Sequence, residues 1–377
     1  MSPPPEEADS PSNTVAQRSR LARGALLSLK VLGALVVAVL MVVGTATALI
    51  AYQGKRAPAG NHEYVALGSS FGAGPGVPDR DPTSPILCIR SDNNYPHQLA
   101  RLRHLGLTDV TCSGATAQNV LHGGQHFQPP QLDAVVDTTK LVTITAGGND
   151  IYYLPNLVAW ACAKDPGALS FSWRLSVCTI RPDDEVDTAA TQVGASLQQI
   201  GREAHRRAPH ATVVFVDYMT VLPDAGYCPD KLPITSAQFD RARFLAKTLA
   251  AKTKEAAQAT GALFVSASDL TRGHDICSAD PWVYGYTFPA TPLNYGPMAF
   301  HPYRQAYRSR RSAISAPWCS SSRLICSASV RNGFSAQGPS AGPTGAASAA
   351  SSLLSTPSRH AVYMESRRPS ASAAVTG

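Results

Sequence analysis

Five short apolar runs, separated by polar or helix-patterned segments, set the strongest constraint on how this chain can fold. They lie at residues 64–67, 108–112, 141–145, 212–216 and 263–265. Strands of a parallel sheet that is covered on both faces read as near-continuous apolar runs. Their alternation with helical segments predicts a three-layer α/β/α sandwich, flavodoxin-like, around a mostly parallel five-stranded sheet.

The intervening segments predict amphipathic helices at residues 95–104, 187–207 and 235–260. In the second of these, Val193, Leu197 and Ile200 recur at helical spacing and mark its buried face. Thr235 or Ser236 is expected to cap the third helix, because a hydroxyl can accept a main-chain N–H of the first turn.

Small and polar residues follow the first three predicted strands. The sequences are GSSFGAG from Gly68, SGA from Ser113 and GGND from Gly147. Ligands of parallel α/β sheets bind at the carboxyl ends of the strands. We therefore expect the functional site at this edge of the sheet.

An uncharged apolar run, residues 31–51, lies near the amino terminus. It has the length that crosses a bilayer, about 20 residues. Arg18, Arg20, Arg23 and Lys30 precede it, so the positive-inside rule places residues 1–30 in the cytoplasm and the later residues outside. We expect residues 1–30 to be disordered. The apolar run is either an uncleaved transmembrane anchor or the core of a signal peptide cleaved near residues 46–48 (ATA).

Cysteine usage agrees with export. Six cysteines lie in the predicted domain and two, Cys319 and Cys326, near the carboxyl terminus. Disulfides form in oxidising compartments, and the chain has no CxxC pair that would indicate a structural zinc site. The sequence by itself leaves the pairing of the six open.

The formal charge of +7 is carried by the carboxyl-terminal tail. From Pro302 onward the chain has nine Arg, no Lys and one acid, Glu365, and 18 of its 76 residues are Ser. The preceding residues are nearly neutral, which argues against nucleic-acid binding. We assign the domain to residues 62–302 and expect residues 303–377 to form a disordered tail.

Four sequence blocks, in order, resemble those of the SGNH hydrolases, also called the GDSL esterase/lipase family. They are Gly68-Ser69-Ser70 with Gly74, Gly114 within CSGA, Gly147-Gly148-Asn149-Asp150, and His301-Pro302. The likeness covers roughly residues 62–302 and is greatest to the secreted actinobacterial esterases and lipases that have three disulfides. It implies the α/β/α fold already indicated by the strands.

The resemblance also implies roles for individual residues. Ser70 would be the nucleophile of a serine esterase or lipase, and His301 the base that removes its proton. The main-chain N–H groups of Ser70 and Gly114 and the side-chain amide of Asn149 would form the oxyanion hole. Asp150 is expected to be structural. No metal or organic cofactor is implied; the substrate is a small-molecule or lipid ester, and we expect a monomer.

Two positions depart from the family pattern. Ser69 stands where the family usually has Asp, a residue that is not the catalytic acid. Met298 stands three residues before His301, where the family usually has an acid. A main-chain carbonyl at Met298 would then orient the imidazole, as in some of the resembling esterases, while Asp275 and Asp280 remain alternative orienting residues.

The resembling enzymes pair their cysteines in sequence order, which implies the disulfides Cys88–Cys112, Cys162–Cys178 and Cys228–Cys277. The likeness stops soon after His301, where the family has an apolar closing helix, and we hypothesise a shift of reading frame there.

Residues 151–186, with Trp160, Phe171 and Trp173, are interpreted either as an acyl pocket or as a packed lid. Two alternatives to the exported lipase stay open. One is a membrane-tethered, non-catalytic binding domain or lapsed enzyme, and the other is a carbohydrate acetylesterase.

Overall fold

A parallel five-stranded sheet forms the centre of the part of the chain that the computed structural model describes, residues 11–169, 174, 177–289, 296–304 and 306–307. The strand order is β2-β1-β3-β4-β5, and every pairing is parallel. The strands are β1 (Tyr64–Gly68), β2 (Leu107–Asp109), β3 (Leu141–Thr145), β4 (Thr212–Val216) and β5 (Leu263–Val265). The predicted sheet is confirmed, with β2 shorter than expected.

Helices cover both faces of this sheet, which confirms the three-layer prediction. The chain moves toward one edge of the sheet from β1 to β2, and toward the other edge from β3 to β4 and from β4 to β5. Because crossovers between parallel strands are right-handed, the helices of these two sets of connections lie on opposite faces. The helices are α1 (Pro11–Lys55), α2 (Ser70–Ala73), α3 (Tyr95–Arg103), α4 (Ala117–His122), α5 (Tyr153–Lys164), α6 (Asp183–Arg207), α7 (Ser236–Thr260) and α8 (Ala267–Leu270).

The ends of the two long helices follow from their terminal residues. Helix α6 begins four residues earlier than predicted, with acidic residues in its first turn and basic residues in its last, where each sign of charge favours the helix dipole. Helix α7 begins after Thr235, whose side chain accepts the main-chain N–H of Gln238 while the Gln238 side chain accepts that of Thr235. This capping box confirms Thr235 as the cap.

Helix α1 contradicts the predicted disorder for residues 11–30, because Pro11–Lys55 forms one continuous helix. Ala, Leu, Arg and Lys recur in its first half, and these residues propagate a helix once a stable segment has nucleated it. Residues 1–10 lie outside the described part of the chain. Within α1, Leu27–Lys55 is long and apolar enough to cross a membrane, and its most apolar stretch is entirely exposed.

The packed domain continues beyond Pro302, so the boundary predicted there is too early. Ala306 and Tyr307 are fully buried, and the Tyr307 ring stacks on that of Tyr95 with centroids 6.3 Å apart. Apolar side chains of this segment complete the core, although its composition is that of the tail. The predicted tail from residue 308 onward, with Cys319 and Cys326, lies outside the described residues.

Among the described residues, six cysteines form the disulfides Cys88–Cys112, Cys162–Cys178 and Cys228–Cys277. This is the pairing that the resemblance implied. The first disulfide joins the segment after α2 to the segment after β2, and both segments border the carboxyl edge of the sheet.

Candidate active site

Ser70 lies where strand β1 passes into helix α2. Gly68, the last residue of the strand, has φ 134° and approaches the Thr145 carbonyl so closely that a Cβ would lie 2.1 Å from its oxygen. The Gln131 side chain accepts the Gly68 main-chain N–H at 2.7 Å and donates to its carbonyl at 3.1 Å. These contacts fix the turn, so that Ser70 starts α2 at the sheet edge.

A buried polar cluster holds the other end of α2. The Asn94 side-chain amide donates to the Ala73 carbonyl at 3.1 Å and to the Asp109 carboxylate at 2.8 Å. Burial alone would raise the pKa of Asp109, but the Arg90 guanidinium and the His97 side chain hold it below its ordinary value. The ionised carboxylate therefore remains available to accept from Asn94.

Gly114 and Asn149 come from the loops after β2 and β3. Gly114 has φ 83°, a left-handed conformation that favours glycine, and the Gln125 amide donates to the preceding Ser113 carbonyl at 2.8 Å. Asn149 Nδ2 donates to the Ala115 carbonyl at 2.8 Å. Because a side-chain amide has two N–H groups, this bond orients Asn149 and leaves a second donor.

Asp150 follows Asn149 and accepts the Ala117 main-chain N–H through both carboxylate oxygens at 3.0 Å. Burial raises its pKa. The carboxylate ties the GGND turn to the first residue of α4, in line with the structural role expected for it.

His301 is oriented by a main-chain carbonyl, but a different one from that predicted. Its Nδ1 lies 2.7 Å from the Ala299 carbonyl oxygen. The Met298 carbonyl instead accepts the His301 main-chain N–H at 3.1 Å, because a turn closes between these residues. A carbonyl can only accept, so Nδ1 carries the proton and Nε2 presents a lone pair.

The alternative carboxylates have other partners. Asp280 lies beside His274, whose Nδ1 is 3.4 Å from its carboxylate, and Asp275 accepts the Cys277 main-chain N–H at 2.9 Å. Neither makes a hydrogen bond or ion pair with His301 among the interactions of the described residues.

Burial sets the protonation state of His301. It lowers the pKa of the imidazole from 6.5 to about 4, and the Ala299 carbonyl only partly opposes this. Nε2 is buried and has no hydrogen-bond partner within the described residues. At neutral pH the ring is therefore a neutral base with a free lone pair.

Ser70, Gly114, Asn149 and His301 line one cavity of about 560 Å³. The structure thus brings together the residues that the sequence placed in four separate blocks. The rest of the wall is mainly apolar, with contributions from Leu87, Ile89, Leu154, Pro155, Val158, Val177, Phe288 and Met298.

The segment that the sequence left open as acyl pocket or packed lid, residues 151–186, contributes to both the cavity wall and the core. Leu154, Pro155 and Val158 of α5 line the cavity, whereas Trp160 is buried in the core. Phe171 and Trp173 lie outside the described residues.

Ser69 takes part in a hydrogen-bonded chain behind the cavity. Its hydroxyl bonds the Tyr218 hydroxyl, which in turn accepts the Gly148 main-chain N–H at 3.2 Å. Either hydroxyl can donate to the other, and the Ser69 hydroxyl also lies 3.4 Å from the Thr145 carbonyl oxygen, to which it can donate. This chain connects the turn before Ser70 to the turn before Asn149.

Sequence reasoning missed three supporting residues, Gln131, Tyr218 and Ala299. Gln131 and Tyr218 lie 63 and 149 positions from the residues they bond, so no local pattern marks them. Ala299 offers only a main-chain carbonyl, for which its side chain gives no signal. Within the described residues, no group of three or more His, Cys, Asp and Glu side chains could hold a metal ion.

Known proteins resemble this chain in both sequence and fold. The model of the GDSL-like lipase/acylhydrolase family matches residues 66–308. Lipase 2 of Streptomyces coelicolor is 36% identical over 247 residues, which are 62% of this chain and 81% of the relative. A lipase of Streptomyces rimosus is 30% identical over 229 residues, 60% of this chain and 78% of the relative.

Solved structures agree. An extracellular lipase from Streptomyces rimosus superposes with TM-score 0.53 at 27% identity, over 67% of this chain and all of the relative. The fold is also that of a phospholipase A1 from Streptomyces albidoflavus, with TM-score 0.51, 24% identity, and coverage of 68% and 98%. With the match extending over residues 66–308, the chain belongs to the GDSL-like lipase/acylhydrolase family and is a carboxylic ester hydrolase.

Proposed function

We propose that this hydrolase cleaves esters by acyl-enzyme chemistry, with Ser70 as nucleophile and His301 as general base. The observation that carries the proposal is the shared cavity, which Ser70, His301, Gly114 and Asn149 line together. A serine hydroxyl needs an adjacent base to become an effective nucleophile. His301 Nε2 has the free lone pair that this step requires.

In the first step, His301 Nε2 takes the Ser70 proton as Oγ attacks the ester carbonyl. The Ser70 and Gly114 main-chain N–H groups and the Asn149 amide stabilise the oxyanion. The imidazolium then gives its proton to the leaving alcohol, and water hydrolyses the acyl-enzyme by the same route. The Ala299 carbonyl keeps the ring in the required tautomer throughout, without the charge that an aspartate would supply.

The cavity wall favours an ester with an apolar acyl chain. Its apolar side chains extend from the Ser70 region along α5 to Phe288 and Met298, and burying a CH₂ group there gains about 0.8 kcal/mol. We therefore infer that kcat/KM rises with chain length beyond acetyl, in contrast to a carbohydrate acetylesterase. A series of p-nitrophenyl esters, from acetate to decanoate, tests this.

We also propose that the domain acts outside the cytoplasmic membrane. The three disulfides fit an oxidising compartment, and Leu27–Lys55 fits a membrane-spanning helix or an export signal. The basic residues Arg18, Arg20 and Arg23, which precede this segment, favour an amino terminus on the cytoplasmic side.

Labelling of the full chain with a serine-directed fluorophosphonate, followed by peptide mass spectrometry, tests the catalytic assignment. We expect one adduct, on Ser70, and its loss in Ser70→Ala. Ser113→Ala is the matched control, because Ser113 also lines the cavity but precedes the oxyanion glycine. An adduct on another serine, or none on a folded protein, contradicts the proposal.

A further inference from the structure

The carboxyl-terminal end of α1 is packed directly onto the catalytic domain. The Gln53 side chain accepts the Ile86 main-chain N–H at 2.9 Å. Gly54 is buried, and a Cβ on it would lie 2.1 Å from the His126 carbonyl oxygen. The helix end therefore packs on the domain through a close backbone contact, and residues 56–63 then connect it to strand β1.

The two turns that receive α1 also carry part of the active-site wall. The first turn is Ile86–Cys88, whose Leu87, together with the adjacent Ile89, lines the cavity. The second is Gln125–Phe127, and its Gln125 side chain holds the Ser113 carbonyl next to the oxyanion residue Gly114. The two turns that contact the end of α1 therefore also contribute to the cavity wall or hold a residue next to it.

The residues around this contact are of the kinds found where membrane-spanning helices meet the lipid headgroups. Tyr52 is 66% exposed and immediately precedes Gln53, while Lys55 and Arg56 are exposed just beyond it. Tyrosine and basic residues concentrate where a helix leaves the hydrocarbon. At about 1.5 Å per residue, Gln53 and Gly54 lie within about 3 Å of Tyr52 along the helix axis.

An exposed aromatic residue lies beside the same contact. Phe127 is 49% exposed, and its main-chain carbon would lie 3.1 Å from a Cβ on Gly54. It has φ 61° and follows His126 with φ 51°, conformations that residues other than glycine rarely adopt. The fold therefore holds an apolar ring at the level where α1 meets the domain.

We propose that the bilayer that holds α1 also contacts the surface formed by Phe127, Leu87 and the end of α1, here termed the membrane-facing surface. This contact holds the cavity at the level of the lipid headgroups. The enzyme therefore draws its ester substrate from the lipids of its own membrane. This inference rests on the proposed export of the domain and on α1 remaining attached.

The substrate class follows from this position. A lipid ester whose acyl chains lie in the bilayer needs only a short displacement to insert a chain between Leu87 and Ile89. Tethering raises the effective concentration of such lipids relative to those of other membranes. A soluble short-chain ester gains nothing from the tether.

The contact with the bilayer can be measured without any catalysis. Phe127→Trp is introduced into the full chain, which is then reconstituted into phosphatidylcholine vesicles with or without brominated acyl chains. We expect bromine to quench the added tryptophan fluorescence, measured as the difference from the parent. Phe244→Trp is the matched control, because Phe244 is 55% exposed on α7, which packs on strands β4 and β5. Quenching that is equal at both positions, or absent at Phe127, overturns the proposal.

The supply of substrate is tested in mixed vesicles. Phosphatidylcholine with a fluorogenic acyl chain is placed either in the vesicles that carry the protein or in separate protein-free vesicles. We expect hydrolysis to be at least about tenfold faster in the first case. A flexible 20-residue insertion between Tyr52 and Gln53 should reduce this ratio, while the same insertion between Pro4 and Pro5 should not.

Hydrolysis of p-nitrophenyl butyrate by the same preparations separates this inference from the proposed function. If Ser70→Ala loses this activity and the two insertion variants keep it, the catalytic assignment is supported, whatever the vesicle experiments show. Equal rates in the two vesicle arrangements, together with intact butyrate hydrolysis, overturn the membrane-substrate proposal only.

Discussion

The serine and histidine sides of the candidate active site are built in different ways. Ser70 follows a strand of the central sheet and is fixed by the paired hydrogen bonds of Gln131 to Gly68. His301 lies in irregular chain, where Tyr284 donates to the His301 carbonyl at 3.0 Å and accepts from Phe300 at 3.1 Å. The serine is therefore positioned by regular secondary structure, and the histidine by turns and one short pairing with residues 282–284.

Because of this difference, we expect substitutions to disturb the position of His301 more easily than that of Ser70. Sheet hydrogen bonds and a buried polar cluster restrain the Ser70 turn from several directions. The His301 loop is followed within six residues by Ala306 and Tyr307, which are fully buried in the core, so we expect the loop to depend on how that segment packs. Changes to the tail segment should then affect the histidine first.

The largest effect is expected from the chemistry that joins the two sides. Ser70→Ala and His301→Ala should each lower kcat toward p-nitrophenyl butyrate by about 10⁴-fold or more, and the double variant should be no slower, because residues that act as a unit are not additive. Steady-state kinetics on folded variants measure this. A double variant that is slower by the product of the single effects would show that the two residues act independently.

The second-largest effect is expected at Asn149, the oxyanion donor proposed for the loop after β3. Asn149→Ala should reduce kcat by about 10²- to 10³-fold with little change in KM, because the donor acts mainly on the developing negative charge. Asn61→Ala, at an exposed position outside the cavity, is the control and should leave kcat unchanged. A rise in KM at constant kcat would assign Asn149 to substrate binding.

The closing segment of the histidine side is tested by Tyr307→Ala. Truncating a fully buried aromatic residue costs about 3–5 kcal/mol, and the stacking on Tyr95 is lost with it. Thermal unfolding should show a lower Tm than for Tyr227→Ala, whose side chain is 59% exposed. An unchanged Tm would mean that residues after Pro302 contribute no stability, as a domain that ends at residue 302 implies.

The pH profile probes the same side through protonation. The proposed mechanism needs neutral His301, and burial lowers the pKa of its imidazole to about 4. The value of kcat/KM should therefore stay level as the pH falls from 8 to about 5 and then drop about tenfold per pH unit below about 4. A midpoint near 6.5, the ordinary histidine value, would contradict the buried environment.

The sequence was sufficient for the serine side and insufficient for the histidine side. The apolar strand and the Gly-rich turn after it are local signals, and they identified β1 and the position of Ser70. The partner of His301 is a main-chain carbonyl selected by a turn, so the side-chain identities pointed to Met298, one residue away from Ala299. The burial of Tyr307 likewise depends on a distant surface formed by α3, which the tail composition does not reveal.

The smallest expected effect concerns Ser69, where the family usually has Asp. Its hydroxyl is hydrogen-bonded to that of Tyr218, which also accepts the Gly148 N–H, so Ser69→Ala removes one of the hydrogen bonds of Tyr218. One intramolecular hydrogen bond contributes about 0.5–1.5 kcal/mol, and denaturant unfolding should show a decrease in this range. Because Ser69 does not line the cavity, kcat should change less than in Asn149→Ala. A loss of kcat as large as that of Asn149→Ala, in a variant of unchanged stability, would place Ser69 within the catalytic machinery. The serine side would then depend on a side-chain network as much as on the sheet, and it would differ less from the histidine side.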